Sequence, residues 1–271
     1  INMKTKQTDL SASQSSYLAA RKKERRLVLF FRIAVLVLFL VLWEWTAGEG
    51  IIDSFIFSSP SKILTCFLSM AADKSIFPHL SVTLYETIVS FLLVTGISIL
   101  AAVLLWFSRK LSAVLEPYLV VLNSLPKSAL APLLIVWLGA DRTTIIVAGM
   151  SVAVFGSIMT LYTCFTGTDK NKLKLIYTLH GTSLHALTKV VLPSAVPAII
   201  SNMKVNIGLC LVGVIIGEFL AAREGLGYLI IYSSQVFKMD WLLMSIILLC
   251  IMAMVLYAVI GLLERLCRKV L

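Results

Sequence analysis

The chain has 271 residues, of which 59% are hydrophobic and only 14% charged, and its mean hydropathy is +0.95. A soluble domain is nearer half apolar and a quarter charged, so the composition excludes an ordinary soluble enzyme and indicates an integral membrane protein. The formal net charge of +10 does not argue for nucleic-acid binding, because the basic residues gather at the ends of apolar segments.

In chain order, residues 1–26 are a polar tail carrying seven Lys and Arg. A full-length apolar segment follows, so no cleavable leader is expected. Six segments are long enough to cross a bilayer, at roughly 27–47, 80–107, 112–138, 143–166, 194–221 and 241–264, since a crossing helix needs about 20 residues. The expected fold is all-α and integral to the membrane. It has a cytoplasmic tail over 1–26, a six-helix domain over 27–264 and a short tail over 265–271. Sixteen Lys and Arg fall on the side of the two tails, the 2–3 turn and the loop at about 167–192, against five on the other side. Positive residues are retained inside, which places both termini in the cytoplasm. The even number of spans requires the termini to share a side and agrees.

The first outer connection contains FSSPSKILTCFLSMAADKS, read as an amphipathic helix at the outer surface. In the third span, Pro126 and Pro132 each delete a backbone donor. Irregular backbone at membrane depth is tolerated where protein or a water-filled cavity covers it. A kinked, pathway-lining helix and a kink that serves packing alone are both open.

The loop DKNKLKLIYTLHGTSLHALTKVVLP follows the fourth span. Leu173, Ile176, Tyr177, His180 and Leu184 recur on one mostly apolar face of a helix too short and polar to span. Such a face suits a groove in a partner or the surface of the inner leaflet. Pro193 and Pro197 are expected to divide this helix from the fifth span at a hinge. Within that span, Lys204 lies about 16 Å past Pro193, near mid-bilayer. It either faces a pathway or reaches back to the interface. Glu218 lies about 38 Å past Pro193, near the outer interface.

The five cysteines are scattered, and no P-loop, CxxC, HExxH or GxSxG occurs. The chain therefore shows no recognisable catalyst, cofactor or metal site of its own.

Residues 180–200, HGTSLHALTKVVLPSAVPAII, resemble the EAA-type signature of the permeases of binding-protein-dependent ABC importers. Val190, Leu192, Pro193 and Pro197 match its end. The signature's glycine falls on His180, with Gly181 one place later, and its glutamate falls on Lys174. WEW at 43–45, SPSKI at 59–63, HLSVTLYETIVSFLLVTGISILAA at 79–102, SLPKSALAPLLIVWLGA at 124–140 and GVIIGEFLAAREGLGYLI at 213–230 are similar to the nitrate, sulfonate and taurine branch.

The resemblance implies a type I importer permease in a bacterial-type cell membrane, usually two identical chains around one pathway. Cytoplasmic ATPase subunits would bind ATP and Mg, and an external solute-binding protein would deliver the solute. It implies ATPase coupling through Leu173, Ile176, Tyr177, His180, Gly181 and Leu184. Pro126, Lys127, Pro132, Lys204 and Asn206 would line the pathway, and Glu218, Gly225 and Gly227 would lie at the outer gate. The cargo it implies is a nitrate-, sulfonate- or taurine-like anion; a neutral vitamin or pyrimidine precursor is the alternative. A channel or secondary transporter is a competing reading that would need no coupling helix.

Overall fold

The computed structural model describes residues 12–270 and, among them, helices without strands. Residues 1–11 of the expected tail lie outside the described residues. The chain divides into two compact units, one up to Ile63 and one from Leu64 onward.

In the first unit, α1 (Ala12–Gly48) joins part of the basic tail to the first apolar segment in one helix. A short α2 (Ser54–Phe57) follows, its first turn held by Phe55 N donating to Asp53 Oδ1 at 2.8 Å. Ser61, at the start of α3 (Pro60–Ala72), donates its N–H (2.9 Å) and hydroxyl (2.7 Å) to the Glu44 carboxylate. The acid of the WEW motif thus caps orphaned donors at a helix start.

The second unit contains α4 (Ile76–Phe107), α5 (Arg109–Ser124), α6 (Lys127–Leu138), α7 (Arg142–Thr166), α8 (Lys170–Thr178) and α9 (Ser183–Ala186). A π-helical turn (Leu187–Val191) leads into α10 (Leu192–Ala221), then α11 (Leu226–Gln235) and α12 (Met239–Val270). Among the described residues of both units, five helical runs are long and apolar enough to cross a membrane; α5 and α6 make a sixth if their bent pair counts as one span.

That bent pair refines the expected kink. The chain turns by 97° between α5 and α6, with Pro126 at the N-cap of α6, whereas Pro132 lies inside α6 without breaking it. A proline disfavours the helical conformation at its predecessor, and Leu125 is extended at ψ 138.

The hinge expected at Pro193 and Pro197 is not there. Helix runs continuously from Ser183 to Ala221, and the break falls earlier, between α8 and α9. Pro193 cannot donate to the carbonyl four residues back, and the chain widens just before it. Leu192 N bonds Leu187 O, the i→i−5 spacing of a π turn.

The core is helix on helix around α7. A Cβ on Gly213 of α10 would lie 2.8 Å from Gly149 Cα of α7, and one on Gly217 would lie 3.0 Å from Ile145 Cα. This GxxxG spacing lets the two backbones meet, as in other membrane helix pairs. From α4, Ser90 Oγ reaches Ile146 O of α7 at 3.1 Å. Phe91, Val94, Ala153, Ile207, Cys210 and Ile260 fill the middle of the bundle.

Candidate functional site

The outer end of α10 is a sealed polar cluster. Glu218 is 1% exposed. It accepts the Thr83 hydroxyl at 2.6 Å and Gly227 N at 2.6 Å. Thr83 Oγ1 accepts Leu226 N at 2.8 Å, and His79 Nδ1 accepts Gly225 N at 3.1 Å. The first N–H groups of α11 thus point at one carboxylate and its neighbours on α4, which suits the positive end of a helix.

The two glycines of the GLG turn follow from this. A Cβ on Gly225 would lie 2.4 Å from Glu218 Oε1, and Gly225 has φ +116. A Cβ on Gly227 would lie 2.7 Å from Glu218 Oε2. The carboxylate occupies the space where those side chains would be.

One turn along α4 from Thr83, Glu86 is fully buried, and no described donor reaches either of its oxygens. Its acidic neighbour is Glu218. Glu86 also helps line a cavity of about 520 Å³ with Asp141, Arg142, Arg223 and Glu224. Arg142 and Glu224 pair at 3.5 Å across its exposed rim.

Of the expected pathway residues, Lys127, Lys204 and Asn206 each have a protein partner. Lys204 forms an ion pair with Glu264 of α12, and its ammonium also lies 5.6 Å from the Tyr257 ring centroid. Asn206 is 1% exposed and donates to Ser157 Oγ at 2.9 Å, as does Asn202 at 2.6 Å. Lys127 Nζ donates to the carbonyls of Leu122 (2.6 Å) and Asn123 (2.8 Å). It thereby covers two of the carbonyls left open where α5 ends at the bend.

The α8–α9 segment, where coupling residues were expected, is open. Leu173 packs inward on Ala102, Leu161, Phe165 and Leu187, and Ile176 is half-buried. Leu175 (60%), Tyr177 (48%), Leu179 (70%) and Leu184 (60%) are exposed. The exposed face therefore includes Leu175 and Leu179, which helical spacing did not select. The spacing found the inward Leu173 and Ile176 together with the exposed Tyr177 and Leu184, and it is α4, α7 and the π-helical turn that cover Leu173.

After α8 the chain closes with a Schellman pattern: Gly181 N donates to Ile176 O at 2.8 Å and His180 N to Tyr177 O at 3.0 Å. His180 has φ +58, a left-handed conformation that favours glycine. This is the position where the resembling signature has its glycine. Gly181 is required for another reason: a Cβ there would lie 2.5 Å from Ile176 Cγ2.

Of the expected residues, the structure brings Glu218, Gly225 and Gly227 into one cluster and Ile176, His180 and Gly181 into one turn. Pro126 and Lys127 share the α5–α6 bend, while Lys204 and Asn206 have different partners. Thr83, His79, Glu86, Asn202, Ser157 and Glu264 were not singled out by the sequence. Their isolated positions on other helices carry no local signal; only the depth of Glu86 in an apolar run hinted at it.

The family profile for the binding-protein-dependent transport system inner membrane component matches residues 94–270. A Haemophilus influenzae protein named as an ABC transporter permease is 32% identical over 80% of this chain and 88% of its own length. A Bacillus subtilis protein named for aliphatic sulfonate transport is 25% identical over 83% of this chain and 82% of its own. Among solved structures, one titled for the inward-facing MetNI methionine ABC transporter superposes with a TM-score of 0.63. That likeness covers 69% of this chain and 93% of the other at 17% identity, and it bears on the fold alone. The apolar helices long enough to span a membrane, the profile over most of the chain and the relative matched over nearly its full length make this chain a member of the binding-protein-dependent transport system inner membrane component family, the permease subunit of an ABC importer and a multi-pass protein of the bacterial inner membrane.

Proposed function

We propose that two copies of this chain form the translocation pathway of an importer, with a cytoplasmic ATPase docked on α8 and α9 and an external solute-binding protein at the Glu218–Gly227 end. The observation that carries this reading is the exposed apolar strip Leu175, Leu179 and Leu184, on the side that charge bias assigns to the cytoplasm. Burying each such side chain in a groove contributes roughly 1.5–3 kcal/mol. Residues 170–189 act as the transmission element, now as two pieces either side of the His180–Gly181 turn rather than as one helix. The cargo is a small anion of the nitrate, sulfonate or taurine kind; a neutral vitamin or pyrimidine precursor is the second reading. The resemblance at 213–230 and the sulfonate-named relative support the first. ATP and Mg belong to the partner, because this chain has no P-loop.

The test is co-purification of the ATPase with Leu184→Asp and Leu179→Asp, beside Leu175→Ala. The two aspartates are expected to release the ATPase at least tenfold while the permease stays in the membrane. Wild-type retention and wild-type substrate-stimulated hydrolysis in both aspartate variants would remove this helix from the coupling role.

A further inference from the structure

Beside the coupling segment, a cavity of about 540 Å³ opens between the ends of α4 and α7 and the starts of α5 and α8. Arg109, Lys170 and Lys174 line it together with Trp106, Tyr162 and Tyr177. The ion pairs among the described residues are Arg142–Glu224 and Lys204–Glu264, so none of these three cations has an acid partner there. The nearest acid in sequence, Asp169, is engaged in accepting Asn171 N at 2.8 Å at the start of α8. Three like charges around one concavity repel one another, and an anion between them relieves that repulsion.

The general retention of positive residues on the inner side explains why cations are present. It does not explain why these three face one cavity, while Lys110, Lys172 and Lys189 from the same connections do not line it. The other wall supplies a second clue. Leu105 is buried and Trp106 half-buried at the last turn of α4, and Phe107 is exposed beside them. That turn ends the apolar spanning run Ile76–Phe107, and Trp and Tyr are favoured at such span ends. The Tyr162 hydroxyl accepts from Ser112 Oγ at 2.5 Å and keeps its own proton to donate. A free phosphate ion would use the cations and the phenol but not the apolar wall. A phospholipid uses both, with its phosphate among the cations and its chains along the exposed face of α4.

We propose that this cavity holds the phosphate headgroup of an anionic phospholipid from the cytoplasmic leaflet. The assignment rests on the membrane orientation adopted above, and not on the ATPase contact. Because α8 forms one wall and α4 and α7 the other, a bound headgroup ties the coupling segment to the membrane core. Basic pockets between membrane helices on the cytoplasmic side are suited to such headgroups.

The test uses the full chain, purified and equilibrated with equal amounts of phosphatidylglycerol and phosphatidylcholine of the same acyl length. Retained lipid is counted by native mass spectrometry. Wild-type protein is expected to retain phosphatidylglycerol preferentially. Arg109→Gln with Lys174→Gln is expected to lower that preference by roughly 25-fold, at about fivefold for each cation removed. Lys110→Gln with Lys172→Gln removes the same charge outside the cavity and is expected to leave the preference unchanged. The single Lys174→Gln is the reserve variant should the double one fail to fold. An equal loss in the Lys110/Lys172 control overturns the proposal in favour of a general surface attraction. Full competition by inorganic phosphate overturns it in favour of a free-anion site, and no lipid preference in the wild type overturns it outright. The measurement contains no ATPase, so its failure is separable from a failure of the coupling reading.

Discussion

The two ends of α10 handle polarity in opposite ways. At the outer end, Glu218 is buried and its hydrogen bonds run to α4 and the start of α11 within the same chain. At the other end, α8 and α9 leave Leu175, Leu179 and Leu184 exposed, with lysines beside them. At the outer end Glu218 finds its partners within one copy of the chain, although no described donor reaches the buried Glu86 beside it, whereas the α8–α9 end presents apolar surface that water does not favour. The difference teaches where to look for function. A saturated cluster fixes the position of a turn, and an unsaturated surface invites something to cover it.

The contrast breaks most visibly at Glu218. Glu218→Ala leaves the Gly227 N–H buried without an acceptor, a cost of roughly 1–3 kcal/mol, while the Thr83 hydroxyl keeps the His79 carbonyl at 3.2 Å. Loss of transport is expected, with faster hydrogen exchange over 225–235. Glu86→Gln is the internal contrast, since no described donor depends on Glu86. If Glu218→Ala exchanges like the wild type over that turn, the cluster does not hold it.

Between the two ends, Lys204 sharpens the comparison. Lys204→Met removes the ion pair to Glu264, at a cost of roughly 2–3 kcal/mol for a pair that keeps some solvent contact. Adding Glu264→Gln is expected to restore thermal stability. Should transport recover along with stability in the double variant, the role of Lys204 is structural. If stability returns and uptake does not, the ammonium serves the pathway itself.

The smallest effect is at His180. A non-glycine residue in the left-handed region costs roughly 1 kcal/mol. His180→Gly should therefore slow hydrogen exchange in the α8–α9 turn and leave the outer cluster untouched. A destabilised turn in that variant would mean that the imidazole makes a contact worth more than the strain.

Much of the fold was legible because a bilayer leaves few choices. Long apolar runs with charged ends become spanning helices, so the first, second, fourth, fifth and sixth segments coincide with α1, α4, α7, α10 and α12 to within several residues at their membrane ends. The third became two helices at 97°, because a proline breaks the preceding residue's helical geometry but not the direction taken afterwards. The hinge expected at Pro193 was absorbed by a π turn instead, since widening one turn removes the missing-donor conflict without interrupting the helix. The coupling face was half legible. Periodicity identifies a stripe on α8, but which side faces inward depends on α4, α7 and the π turn.

By itself the sequence determined the membrane class, the span order, the inside–outside bias and the family signature, all of which are written in composition and local spacing. It also held the glycine requirement at 225 and 227, though not its cause. Tertiary structure alone decided that those glycines make room for the Glu218 carboxylate, that Lys204 meets Glu264 sixty residues on, and that three cations from two connections share one cavity. Most of these meetings join segments far apart in the chain. Their partners are fixed by how α4, α7, α10 and α12 pack, and no local pattern encodes a neighbour on another helix.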